Sequence, residues 1–181
     1  MEADVLLPTD AIREWARALW LAAGCSQDEA ERVAAHLVAA NLAGHDSHGI
    51  GMIGPYVRSL GADELQLNQH ISIVSDADTV VVVDGNRGFG QTTAHETMQL
   101  AIARAKERGV AIVGLKNTHH IGRVGHWAEE AIAHGLASIH FTNVVSRPLV
   151  APHGGAQGRF GTNPMTVGIP RRDAPPILLD F

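Results

Sequence analysis

Apolar positions near the start of the chain recur every three or four residues. Ile12, Trp15, Ala16, Leu19 and Trp20 share one helical face, which predicts a helix capped by Thr9, running to about Ala23 and stopped by Gly24. Ser26 with Glu29 three residues later has the spacing of a capping box and opens a second helix, whose face reads Val33, Leu37, Val38 and Leu42. The short Gly24-Cys25 turn pairs the two. From Gly44 to Pro55 the periodicity gives way to glycines and two histidines, as in a loop or a helix start, and Tyr56 to Leu60 completes a short helix.

After His70 the period changes. Ile71, Ile73 and Val74, then Thr79 to Val83, predict two strands around a turn at Asp76 to Asp78. A glycine-rich loop, Gly85 to Gly90, precedes an amphipathic helix from Gln91 to Arg108 that ends at Gly109. Val110 to Leu115 reads as a buried parallel strand, His126 to His134 as part of a helix, and Ala137 to Thr142 and Met165 to Ile169 as strands. Ile177 to Leu179 is a last apolar run, read as a core strand. Helices first, then alternating strands and helices, predict an α/β protein. The expected lobes are a small helical one over residues 1–68 and an α/β one over residues 69–181.

Composition narrows the classes. An apolar content of 45% and a charged content of 18% are those of a globular chain. A net charge of -5 argues against a nucleic-acid partner. No apolar run approaches the roughly 20 residues that cross a bilayer, so no membrane is expected. The opening MEADVLLPTD lacks a basic segment followed by an apolar one. The lone Cys25 offers neither a disulfide nor a thiolate cluster, so the expected compartment is the cytoplasm. Histidine is frequent, with 11 residues, several beside glycine.

Four stretches could carry chemistry. In Gly44-His45-Asp46-Ser47-His48-Gly49 the glycines admit close backbone approach, and His48 suits general acid or base work. The plainer alternative is a helix start capped by Asp46 or Ser47. Asn117 to Gly122 follows a predicted parallel strand, the edge where α/β sheets bind ligands. Of its adjacent His119 and His120, at most one is expected to face a site. Gly85-Asn86-Arg87-Gly88-Phe89-Gly90 has the spacing G-x-x-G-x-G, not the dinucleotide fingerprint G-x-G-x-x-G, and reads as a structural turn before a phosphate cradle. The run from Gly154-Gly155 to Gly161-Thr162-Asn163-Pro164 suits backbone contacts to a ligand, or a long surface loop. His45 and His48 with Asp46 or His120 could be imagined around a metal, but no H-E-x-x-H or C-x-x-C supports this, and no metal is expected.

Together GHDSHGIG, VDGNRGFGQ, NTHHIGRVGHWAEEA, FTNV, VAPHGG, FGTNP and LLDF resemble the malate/L-lactate dehydrogenase family, most of all its hydroxycarboxylate dehydrogenase branch. The resemblance runs from the first helix to the last residue. It implies a dimeric, cytoplasmic oxidoreductase that uses NAD or NADP without a Rossmann fold. It implies hydride transfer between the cofactor and a small 2-hydroxy acid, such as malate, lactate or a related hydroxycarboxylate. His48 matches the histidine assigned to proton transfer, and His120 one that some members assign as proton acceptor. Asn143, Gly161, Thr162 and Asn163 match segments lining the cleft, and Asp180 an aspartate near the nicotinamide. On this resemblance His48, His120 and Asp180 are assigned to catalysis. Ser47, Tyr56 and Thr162 are assigned to the substrate, and His120, Asn143, Gly161, Asn163 and Asp180 to the cofactor.

A histidine of near-neutral pKa suits the base that takes the hydroxyl proton, with a carboxylate such as Asp180 to fix its tautomer. The substrate carboxylate calls for an arginine. Many relatives carry one four residues after the SHG histidine, where this chain has Met52. Arg123, Arg147 and Arg159 are the alternatives. The resemblance covers about half of a family member, so a truncated form needing a missing C-terminal half is expected. The rival readings are an inactive fragment acting as an interaction partner and a histidine-dependent metal hydrolase or lyase.

Overall fold

The computed structural model of the chain describes residues 6–145 and 148–181. The chain divides into two compact units, Met1–Arg123 and Val124–Phe181. The expected lobe boundary near residue 68 marks the change from helices to strands, whereas packing separates between Arg123 and Val124. Among the described residues no helix is long and apolar enough to cross a membrane.

The first unit opens with α1 (Thr9–Ala23) and α2 (Gln27–Leu42). Thr9 is inside α1 and does not cap it. Pro8 holds the N-cap position at φ -61°, and no side chain caps the end. The cap position suits Pro8 because proline has no N–H and its ring fixes φ near that value. Gly24 ends α1 in the left-handed region at φ 105°, where the Cys25 N–H reaches back to Trp20 O at 3.0 Å. The buried stripe is narrower than expected: Ala16 and Trp20 are fully buried, but Trp15 is 52% exposed.

The capping box at α2 is half formed. Ser26 Oγ accepts from the Glu29 N–H at 3.2 Å. The Glu29 carboxylate instead accepts from the Asn68 N–H at 2.7 Å and Thr92 Oγ1 at 3.2 Å, while the Ser26 N–H donates to Asn68 Oδ1. A local cap thereby becomes a long-range tie. Trp20, Val33, Leu37, Tyr56, Leu65 and Phe89 form the core, with Trp20 edge-on to Phe89 at 5.0 Å. Each fully buried side chain of this size contributes about 2–3 kcal/mol.

Two single-turn 3-10 segments, Asp46–His48 and Ile50–Met52, lead into α3 (Ile53–Gly61). Then β1 (Ser72–Ala77) pairs antiparallel with β2 (Val80–Asp84), with a bulge between Ile73 and Ser75. The helix α4 (Gly90–Arg108) crosses over to β3 (Ile112–Lys116), which pairs parallel to β2 as the sequence predicts. Val81 and Val83 of β2 are fully buried. β3, expected to be buried, alternates exposed and half-buried positions. An apolar run records that a strand can be covered, not which element covers it.

The second unit is α5 (Gly125–Ala133) with an antiparallel sheet ordered β4 (Ser138–Phe141), β5 (Met165–Ile169), β6 (Ile177–Asp180). Gly168 of β5 lies under α5, where a Cβ would meet Ala128 Cβ at 3.0 Å. These strands fall within a residue of their predicted bounds. β6, read as a core strand, is exposed at Ile177, Leu178 and Leu179.

Candidate active site

Asn41, at the end of α2, holds the first histidine motif in place. Its Nδ2 donates to Asp46 Oδ1 at 2.5 Å and its Oδ1 accepts from the Ile50 N–H at 2.8 Å. Gly49 is needed for this closeness, since a Cβ there would lie 2.2 Å from Asn41 Oδ1. The motif is not a side-chain-capped helix start: His45 occupies the N-cap position without a cap bond. Asp46 is bound to Asn41, and Ser47 Oγ pairs with His48 Nδ1 at 2.9 Å.

The second motif is carried past the start of α4. The Gly85–Gly90 loop is a structural turn whose backbone grips the segment after β3. Arg87 N–H donates to Asn117 O at 2.8 Å, and His119 N–H to Gly88 O at 3.0 Å. At Gly90 a Cβ would come within 2.3 Å of His120 O, so glycine lets the two backbones touch. His120 is thereby set against α3, where Tyr56 Oη lies 2.7 Å from His120 Nδ1.

Tyr56 Oη also accepts from Gln91 Nε2 at 2.9 Å. Both Tyr56 and Gln91 are fully buried. The His48 and His120 rings stack with centroids 5.2 Å apart and planes 28° from parallel. His119 packs edge-on against the Tyr56 ring at 5.3 Å while His120 bonds the phenol oxygen, so both touch one tyrosine at different points.

Burial dominates the electrostatics. It pulls His120 down to about 4, with the neighbouring His48 and His119 charges adding to the effect. His119 is lowered by burial against the opposing pull of Glu64. Burial raises the Tyr56 phenol well above its ordinary value, against the Gln91 hydrogen bond. At neutral pH this is a neutral imidazole beside a neutral phenol.

The remaining predicted residues lie in the second unit. Asp180 Oδ1, at the end of β6, accepts from the buried Thr166 Oγ1 at 2.9 Å. Burial lowers the pKa of His140, with the charge of Asp180 opposing. Asn163, at φ 41°, accepts the Val144 N–H at 2.8 Å, and a Cβ on Gly161 would meet Val144 O at 2.7 Å. Two loops are so held together, with Asn143 and Thr162 exposed on them.

Of the candidate arginines, Arg123 is buried and its backbone N–H donates to His36 Nε2 at 3.1 Å. Arg159 is exposed and bonds Gln157, and Arg147 lies outside the described residues. Met52 packs against the core of the first unit. Among the described residues no three of the metal-ligating types come together around one point. Sequence reasoning missed Asn41 and Gln91. Both sit in helices, where a polar amide reads as solvent-facing.

Residues 7–181 match the family profile of malate/L-lactate dehydrogenase. A hydroxycarboxylate dehydrogenase B from Escherichia coli is 50% identical over 181 residues, which are 100% of this chain and 50% of that protein. A solved Escherichia coli structure named for malate/lactate dehydrogenase superposes with a TM-score of 0.94 at 49% identity, over 98% of this chain and 50% of its own. The malate dehydrogenase structure from Pyrococcus horikoshii gives 0.89 at 35% identity, over 97% and 50%. The chain thus spans about half the length of the relatives it matches.

Proposed function

The chain belongs to the malate/L-lactate dehydrogenase family, and from that premise we propose that it serves an oxidoreductase interconverting a small 2-hydroxy acid and its 2-oxo acid with NAD or NADP. The observation that carries this reading is the stacked His48–His120 pair, with each Nδ1 engaged by a hydroxyl of the same unit, Ser47 or Tyr56.

Bound NAD(P) supplies the hydride acceptor. As the hydride leaves C2 with its bonding pair, the C2 hydroxyl oxygen forms the carbonyl and must release its proton. When the neutral His48 ring carries its hydrogen on Nδ1, toward Ser47 Oγ, its Nε2 holds the lone pair that takes the proton. In the reverse direction the imidazolium returns it. His120 stays neutral at about pH 7. It supports the C2 oxygen as a hydrogen-bond donor.

For the second unit, the family resemblance assigns groups to the nicotinamide end of the cofactor. The exposed Asn143 lies on a loop pinned by Asn163 and Gly161, and it matches the amide chemistry of a carboxamide. Thr162, exposed on the facing loop, is assigned to the substrate, and Asp180 to the nicotinamide region. The expected partner is a second copy of the chain. Exposed apolar side chains on β6 support such a partner.

The test is NADH and NADPH oxidation against a panel of 2-oxo acids, with His48→Ala as control. Turnover lost in the variant supports the assignment. Undiminished turnover removes His48 from the mechanism.

A further inference from the structure

The two histidines are chemically alike, yet oxidation at C2 needs one ring that accepts a proton and is helped by another that donates a hydrogen bond. The difference can be traced into the core. Gln91 is the second residue of α4 and is fully buried. Its Nε2 donates to Tyr56 Oη at 2.9 Å, and its Oε1 is buried without a hydrogen-bond partner among the described residues. Amide orientation is set by such networks. Turning this amide over would bury two N–H donors where one carbonyl oxygen now sits, and orphaned buried donors are rarer in proteins than orphaned acceptors.

The direction of one bond decides the next. A phenol has one hydrogen to give. With Gln91 donating to the Tyr56 oxygen, the Tyr56 O–H points to His120 Nδ1 at 2.7 Å. That nitrogen must then present its lone pair, and the neutral ring carries its hydrogen on Nε2, the edge opposite Tyr56.

We propose that Gln91 is a positioning residue that acts through Tyr56 to hold His120 as its Nε2–H tautomer, making His120 a hydrogen-bond donor to substrate oxygen and leaving proton acceptance to His48. The catalytic consequence rests on the dehydrogenase reading above, but the tautomer itself does not. Gln91 touches neither substrate nor cofactor in this scheme. It sets the polarity of the chain Gln91 to Tyr56 to His120.

The experiment is nitrogen-15 NMR of the imidazoles in the 181-residue chain at about pH 7.5, without cofactor or substrate. The His120 signals are identified by their loss in His120→Gln. The wild-type chain is expected to hold the Nε2–H form in roughly tenfold excess or more, the ratio one retained hydrogen bond supports. Gln91→Met, of similar shape but with no donor, should bring the two tautomers to within about threefold of one another. Tyr56→Phe, which removes the intervening hydroxyl, should do the same and serves if Gln91→Met does not fold. A wild-type His120 protonated at Nδ1 overturns the proposal, as does a tautomer ratio unmoved in a folded Gln91→Met. A Gln91-dependent Nε2–H form in a chain whose turnover survives His48→Ala supports the role of Gln91 while counting against the catalytic division proposed above.

Discussion

Tyr56 Oη lies 2.7 Å from Nδ1 of His120, a contact between residues 64 positions apart in the chain. It joins a helix of the core to the segment leaving β3, so the position of His120 depends on the packing of α3 as much as on its own loop.

Removing that hydroxyl should therefore reach both stability and chemistry. Tyr56→Phe keeps the ring contacts but leaves the Gln91 N–H buried without its acceptor, at a cost of about 1–3 kcal/mol. Urea denaturation of the variant should show a lowered midpoint with an unchanged slope. An unchanged midpoint would mean that the hydrogen bond contributes nothing net.

Acid should weaken the fold through its buried imidazoles. The folded-state pKa of His120 is depressed to about 4 from an ordinary value near 6.5, and those of His119 and His140 move the same way. The unfolded chain therefore binds more protons between these values. The stabilisation is fully present above about pH 6.5 and is lost as pH falls toward 4, with His120 accounting for up to about 3 kcal/mol. Melting temperatures measured from neutral pH down to about 4.5 should fall, and His120→Gln should flatten the decline.

Two glycines give opposite expectations. Gly90→Ala places a methyl group 2.3 Å from His120 O, a backbone atom that cannot rotate away. A loss of at least about 2 kcal/mol is expected, together with displacement of His120. Gly51→Ala meets nothing within 4 Å at a position without positive φ, and should change stability by less than about 0.5 kcal/mol. Equal effects in thermal melts would show that the crowding at Gly90 is relieved by movement.

Asn41 is expected to matter for the placement of His48. Asn41→Ala removes the bonds to Asp46 and to the Ile50 N–H, at a cost of about 1–2 kcal/mol. If His48 carries the proton, turnover should fall with little change in NADH affinity, read by stopped-flow and by fluorescence titration. Wild-type turnover in this variant would show that His48 needs no such support.

Much of the secondary structure follows from local pattern. β5 begins and ends at its predicted bounds, and Gly24, Gly109 and Gly135 each sit at positive φ just past a helix. Local pattern was a poorer guide where a tertiary partner competes. Glu29 has the right spacing to complete a capping box, yet its carboxylate is drawn to Asn68 and Thr92. Trp15 falls on the apolar stripe of α1, yet it is not in the core.

The sequence by itself determined the helices and strands, the histidine motifs and, through their order, the family. Those depend on short-range periodicity and on residues that stay recognisable one by one. Tertiary structure decided which side chains orient the histidines. His48 is held by its neighbour Ser47, but His120 is held by Tyr56, and Tyr56 by Gln91. A buried amide on a helix has the same local signature as a solvated one, and only the tertiary placement of Tyr56 beside Gln91 turns its N–H toward a phenol and gives that hydrogen bond a direction.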